Sequence, residues 1–290
     1  MVSIIGLGGY HLGLVPEAEA IRVIEHAVDH GLDFLDNCWD YNGGRSEEVM
    51  GKALAGGRRA RAFLMSKVDG RTAEAARGQL EQSLRRLRTD VIDLVQLHEV
   101  IRMDDAERAF ADDGAIAALV DARRAGKLRH IGFTGHKDPA SMNHMLDVAR
   151  ANRFTFDTVQ LPLNCMDPHY QSFETHTLPL LVKEDIGVLA MKALGAGPII
   201  DSGVVTAEEC LRYSLSLPVA TVITGCETVA IVDQALAIGR RFTPLSDAER
   251  RELLERTRAH AETGKLEPYK NTGKHDGTVE NPHWLDEARL

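Results

Sequence analysis

The 290-residue chain carries 43 acidic against 34 basic residues, a formal charge of −9, with 44% hydrophobic and 27% charged content. These are the values of a soluble globular protein with a sizeable core, and the acidic balance argues against nucleic acid or an anionic membrane as the main partner. No apolar run reaches the length of a membrane-spanning helix, the N-terminus lacks the pattern of a signal peptide, and the four cysteines form no Cys-x-x-Cys pair.

A reducing cytoplasm is the expected home, with the thiols as packing residues. Strand and helix signals then alternate along the whole chain. Val2 to Leu7 is a β-branched run ending in glycines, and Glu17 to Asp29 carries apolar residues at helical spacing behind Pro16. Leu32 to Asp36 is strand-like, and Ser46 is placed to cap the helix that follows. Ala62 to Ser66 reads as strand and Thr72 to Leu87 as helix. Val91 to Leu97 is strand, and Ala106 to Ala125 reads as one helix stopped at Gly126.

Leu128 to Phe133 is strand, and Asp138-Pro139 opens another helix. Phe156 to Leu161 is strand, Phe173 to Lys183 mostly helix, and Gly187 to Met191 strand. Thr206 and Ser246, each with a glutamate three residues on, start helices through capping boxes. Between them lie a strand, Ala220 to Thr224, and a helix, Val229 to Ile238. Eight strand–helix units without a linker predict a single (β/α)8 TIM barrel domain over 1–290, with an extra C-terminal helix. Residues 264–290 lack helical period and are expected to lie over the surface as a loop-like tail.

Side chains at the C-terminal ends of barrel strands converge on one mouth. That places Asp36, Lys67, His98, Thr134, Gln160 and the Met191-Lys192 pair together, with Tyr41 on the loop after Asp36. A lysine beside the Tyr41 hydroxyl is expected to lower the phenol's pKa, with Asp36 holding the lysine and His98 bonding the substrate oxygen or the phenol. Such a set makes a general acid from a group whose free pKa is about 10. It suits protonation of a carbonyl oxygen as hydride reaches carbon, or the reverse. Taken singly, each residue also has a bland reading: Asp36 as a turn cap, Lys67 as a solvated strand end, His98 as a loop partner of Glu99. No metal is expected, since no His-Glu-x-x-His helix is present.

The run Gly31 to Tyr41, with Gly44-Arg45-Ser46-Glu47 behind it, resembles the first signature of the aldo-keto reductases. The run Phe63 to Lys67 is similar to the family's lysine strand, and Leu84 to His98 to its second signature. The resemblance implies Asp36, Tyr41, Lys67 and His98 as catalytic tetrad, and a nicotinamide cofactor lying across the mouth. It implies cofactor contacts from the turn Gly8-Gly9-Tyr10, from Asp36, Thr134 and Gln160, from Met191-Lys192 with Leu194-Gly195, and from the segment holding Gly225 and Glu227. Met191 stands where the family stacks an aromatic residue on the nicotinamide, and Thr134-Gly135 where Ser-Asn is usual, so that the part of the missing amide falls to His136.

Gly6-Leu7-Gly8-Gly9 follows a strand, yet Gly-x-Gly-x-x-Gly fails at His11, which disfavours a Rossmann reading. The resemblance implies NADP. The lack of Lys or Arg around Glu227, with Arg240 and Arg241 arriving only later, leaves NAD as the alternative. Trp39 and Asp40 flank the tyrosine and are expected to face a substrate pocket, Asp40 suiting a hydroxylated, sugar-like molecule or standing as a solvated turn acid. The expected activity is NAD(P)H-dependent interconversion of an aldehyde or ketone and an alcohol. A nucleotide-binding regulatory or interaction protein on the same barrel is the alternative from another class.

Overall fold

The computed structural model describes residues 2–288. Eight strands, β1 (Ile5–Gly8), β2 (Phe34–Asp36), β3 (Phe63–Val68), β4 (Ile92–Leu97), β5 (Leu128–Thr134), β6 (Thr158–Pro162), β7 (Gly187–Met191) and β8 (Thr221–Gly225), pair in sequence order. Every pairing is parallel and β1 closes on β8. The single (β/α)8 barrel expected from the alternation is the observed fold.

Strand side chains alternate between the two barrel faces. Leu35, Leu64, Val95 and Leu97 face outward into the main core shared with the helices. Phe34, Met65, Leu94, Leu189 and Ile223 form a separate inner cluster, with Val2 and Phe63 packed against it. Two residues further along the same inward faces stand Asp36, Lys67 and Gln96, and then His98. Register brings Asp36 level with Met65, and Lys67 level with Gln96. The inward face therefore changes from an apolar plug to titratable groups as each strand nears its C-terminal end.

The helix starts follow their capping chemistry. Thr72, Asp138 and Thr228 accept from backbone amides three residues on. Thr206 and Ser246 form complete capping boxes with Glu209 and Glu249. Ser46 differs from expectation: Gly44 caps helix Arg45–Ala53, and the Ser46 hydroxyl instead donates to Gly9 O at 2.7 Å, bracing the turn after β1. The helix expected from 106 to 125 is two, Asp105–Ala109 and Ala115–Arg124. Gly114 parts them where a Cβ would stand 2.4 Å from Ala109 O.

The tail is more than a loop. It makes helical turns at Pro268–Asn271, Gly277–Glu280 and Pro282–Leu285 and runs across the C-terminal ends of the strands. Glu99, next to His98, accepts from the amides of Gly277 and Thr278 at 2.9 and 2.8 Å. Arg71 N donates to Leu285 O at 2.7 Å, and Trp284 meets Trp39 edge-on at 5.7 Å. Lys270, fully buried, binds Asp167 and Glu267. No helix among the described residues is long and apolar enough to cross a membrane.

The two capping boxes are cross-braced, since Glu209 pairs with Arg256 and Glu249 with Arg212. Ser246→Ala should therefore lower unfolding free energy by about 1 kcal/mol in urea titration. A loss below about 0.3 kcal/mol would show that this cap carries no stability.

Candidate active site

Tyr41 is placed by a loop that the backbone alone could not hold in most sequences. Asn42, Gly43 and Gly44 all have positive φ (56°, 66° and 86°), a left-handed run that glycine adopts at low cost. At Gly44 a Cβ would also meet the Arg86 guanidinium at 2.3 Å. Asn42 Nδ2 donates to Tyr10 O at 2.8 Å, and Trp39 N to Lys67 O at 3.0 Å, tying the loop to β1 and β3. This run turns the chain back so that Tyr41 overhangs the mouth.

Beneath it Lys67, 1% exposed, spends its three N–H groups on three acceptors. It donates to Asp36 Oδ1, to Asn37 O at 2.8 Å and to the Tyr41 hydroxyl at 3.3 Å. Asp36 Oδ2 accepts from Gln160 Nε2 at 3.0 Å. The His98 ring lies edge-on to the Tyr41 ring at 5.8 Å. The four residues meet as the strand-end pattern requires.

The phenol's electrostatics differ from expectation. Burial first, then the charges of Asp36, Cys38, Asp40 and Glu99, push the Tyr41 pKa well above the ordinary phenol range. Lys67 does not outweigh them, since its ammonium is paired with Asp36, whose negative charge also acts on the phenol. Tyr41 thus rests as a neutral donor. Burial likewise holds the His98 imidazole below its usual value.

Behind His98 stands a grouping that sequence reading missed. Its Nδ1 lies 2.9 Å from Asp69 Oδ1, 3.2 Å from Cys38 Sγ and 3.6 Å from Asp40 Oδ1. One donor atom from each of Cys38, Asp40, Asp69 and His98 falls within 4.8 Å of the others. Burial and mutual repulsion raise Asp40 to about 7 and Asp69, next to Glu99, to about 8. The only sequence signal was position: Asp69 follows Lys67 by two on the exit from β3.

A cleft of about 520 Å³, in the range of small-molecule sites, opens beside the tetrad. Gly8, Gly9, Tyr10, Asp36, Tyr41, Gln160, Met191, Lys192, Leu194, Gly225 and Glu227 line it, along with His11, Asp201 and Gln234. Thr134 is buried, its hydroxyl 4.0 Å from Met191 Sδ, and Gly195 turns the loop at φ 62°. Gln160 Oε1 is buried with no partner, an acceptor suited to a carboxamide N–H. At Gly9 a Cβ would stand 2.6 Å from Asp36 O, so the β1 turn can pack this tightly only without a side chain. These features fit a nicotinamide nucleotide held by Gln160, the β1 turn and the Met191 to Gly197 loop.

Trp39 is corrected. It is fully buried beneath the tail against Trp284, its indole donating to Gln82 at 3.0 Å, and does not line the cleft. Asp40 faces His98 rather than the open cleft. His136 bonds Asp276 of the tail at 3.0 Å. Glu227 pairs with His11 at 2.7 Å across the cleft's rim. Arg240 reaches His30 O and Arg241 Ala237 O, both away from the cleft. Among the described lining residues Lys192 is the one Lys or Arg.

Comparison with known proteins agrees with this fold. The model of the aldo/keto reductase family matches residues 4–202. L-galactose dehydrogenase of Arabidopsis thaliana is 28% identical over 70% of this chain, which spans 65% of that protein's length. An aldo/keto reductase from Klebsiella pneumoniae, solved with NADP and acetate, is 25% identical with a TM-score of 0.69, over 87% of this chain and 90% of that one. The holo form of aldo-keto reductase AKR11C1 from Bacillus halodurans superposes with a TM-score of 0.72 at 23% identity, over 88% and 92%. This chain belongs to the aldo/keto reductase family and is an oxidoreductase of the NAD(P)-dependent kind.

Proposed function

We propose that the chain interconverts small aldehydes or ketones and their alcohols with NADP(H), using Tyr41 as general acid and base. The observation that carries this is the Lys67 ammonium at 3.3 Å from the Tyr41 hydroxyl while paired with Asp36. A bound reduced nicotinamide supplies the hydride. As charge grows on the carbonyl oxygen, the Tyr41 hydroxyl gives up its proton, and Lys67 answers the phenolate that remains. A raised phenol pKa suits this direction, because the proton stays on Tyr41 until an alkoxide-like oxygen demands it. Asp36 fixes the lysine, and Gln160 fixes Asp36 through its amide. His98, beside the phenol, orients the substrate oxygen.

Asp36, Gln160, Met191 and Lys192 form the inner wall of the cofactor cleft, and Gly8, Gly9 and Tyr10 its floor. Support for NADP comes from the Klebsiella relative solved with it. Local charge limits how strongly a 2′-phosphate is favoured, since Asp201 and Glu227 also line the cleft. Fluorescence titration should show NADPH binding with less than about tenfold preference over NADH, or about 1.4 kcal/mol. A preference above about a hundredfold would show that this charge map misplaces the phosphate.

Tyr41→Phe tests the chemistry. It should lower carbonyl reduction by at least about 10³-fold while NADPH affinity changes less than about twofold. Undiminished turnover in that variant would end the general-acid assignment. Nucleotide binding without oxidation of the cofactor by any aldehyde in wild-type protein would favour a regulatory role instead.

A further inference from the structure

His98 is held from behind by acids that the reaction does not touch. Asp69 is fully buried, and its Oδ2 has no hydrogen-bond partner; nor has Asp40 Oδ1. A buried ionised carboxylate ordinarily fills its acceptor sites or meets a cation. The two cations nearby are engaged elsewhere. Arg71 donates to Asp105 Oδ1 and to the backbone carbonyls of Asp69, His98 and Glu99, not to the Asp69 carboxyl. Lys67 is spent on Asp36, Asn37 O and Tyr41.

The four donor types would also suit a zinc-class ion, but their spacing favours a proton. Ligands at about 2.0–2.3 Å from a tetrahedral metal stand about 3.3–3.7 Å apart. Asp69 Oδ1 and His98 Nδ1 are at 2.9 Å, a hydrogen-bond separation. One proton lies between that oxygen and that nitrogen, and its owner decides what the other ring nitrogen presents. If the ring owns it, Nδ1–H donates to a carboxylate and neutral His98 offers Nε2 as a lone pair. If the acid owns it, Asp69 donates to Nδ1 and Nε2 carries the hydrogen.

We propose that Asp69 is the positioning residue that sets the tautomer of His98, and through it the pH range over which the site holds a substrate oxygen. This rests on the carbonyl–alcohol reading above. With Asp69 protonated, Nε2–H donates to the substrate oxygen, in reduction and in oxidation alike. With Asp69 ionised, Nε2 turns a lone pair toward that oxygen, and the hold is lost in both directions. The two forms differ by one proton, exchanged with solvent; the proton that reaches the substrate oxygen still comes from Tyr41.

The groups facing the pair are Cys38, Asp40 and Tyr41 from the loop after β2, Lys67 and Arg71 from β3 and its exit, and Glu99 after β4, with Glu47 of helix Arg45–Ala53 further off. Burial, then Glu99, raises Asp69 to about 8 against the pull of Arg71 and Lys67. Burial also disfavours imidazolium at His98. A neutral acid on a neutral ring is the state consistent with both below about pH 8, and ionised Asp69 the state above it.

Asp69→Asn replaces the acid with an amide whose N–H can donate to Nδ1 at every pH. In wild-type protein carbonyl reduction should fall about tenfold per pH unit above about 8. In Asp69→Asn that limb should move up by more than one unit. Superimposable profiles of the two proteins would overturn the proposal. Ring-nitrogen NMR of ¹⁵N-histidine protein from pH 6 to 9, with His98 assigned through His98→Gln, reads the tautomer without turnover. Wild type should move its ring proton from Nε2 to Nδ1, and a pH-invariant tautomer there overturns the proposal even in an active enzyme or if the variant misfolds. Absence of turnover with the tautomer shift present would instead sink the carbonyl–alcohol reading alone.

Discussion

The ammonium of Lys67 is the constraint around which the mouth of this barrel is organised. At 1% exposure it cannot be solvated, so its three hydrogens must all be answered by protein. Asp36 answers with charge, Asn37 with a carbonyl, and Tyr41 with a hydroxyl. Removing one member of such a pair strands the other in low dielectric, at a cost of about 3–5 kcal/mol. The apolar plug of Phe34, Met65 and Leu94 directly below gives that dielectric its low value. Stability and chemistry share one interaction here: the contact that neutralises the lysine also positions the phenol.

That constraint explains why the tail is built as it is. Residues 264–288 must cover a mouth that contains unanswered acceptors as well as the ion pair. Glu99 takes two tail amides, His136 and Lys137 take Asp276, and Asn164 takes Tyr269 and Glu267. Polar contacts dominate because the strand ends they meet are polar. Trp39 against Trp284 is the apolar pin among them. Trp39, two residues before the cleft-lining Tyr41, is committed to this pin. A tail so bonded limits the site from above, while the cofactor cleft opens on the side of β1, β7 and β8.

Much of the fold and of the tetrad was legible because both rest on period and strand position. Alternating β-branched and helical runs announced the barrel, and Asp36 and Lys67 each stand two residues beyond an apolar inward-facing neighbour, with His98 just past the end of β4. Break points were harder. At Gly114, where the expected helix breaks, the backbone passes so close to Ala109 O that any Cβ would stand 2.4 Å from it, and nothing in local period signals a contact of that kind. The tail's short turns are stabilised by contacts with distant strands, so its composition read as loop. Ser46 had the residue type and position of a cap, and lost that role to Gly9 O because the β1 turn lies within its reach.

Signs of electrostatic effects were the least legible part. A lysine next to a phenol suggests a lowered pKa, but that inference treats the lysine as an unpaired charge. Asp36, paired with that lysine, is after burial the largest cause of the rise, and Cys38, Asp40 and Glu99 add to it. The same reasoning applies behind His98. Arg71 is two residues from Asp69 in the chain, yet its guanidinium is turned onto backbone carbonyls and Asp105, leaving the carboxyl without its expected counter-ion. In a closed barrel the charge that governs a group is the one left over after pairing. Pairing depends on which way each side chain is turned, so nearness in the chain, which lists the charges, does not subtract them.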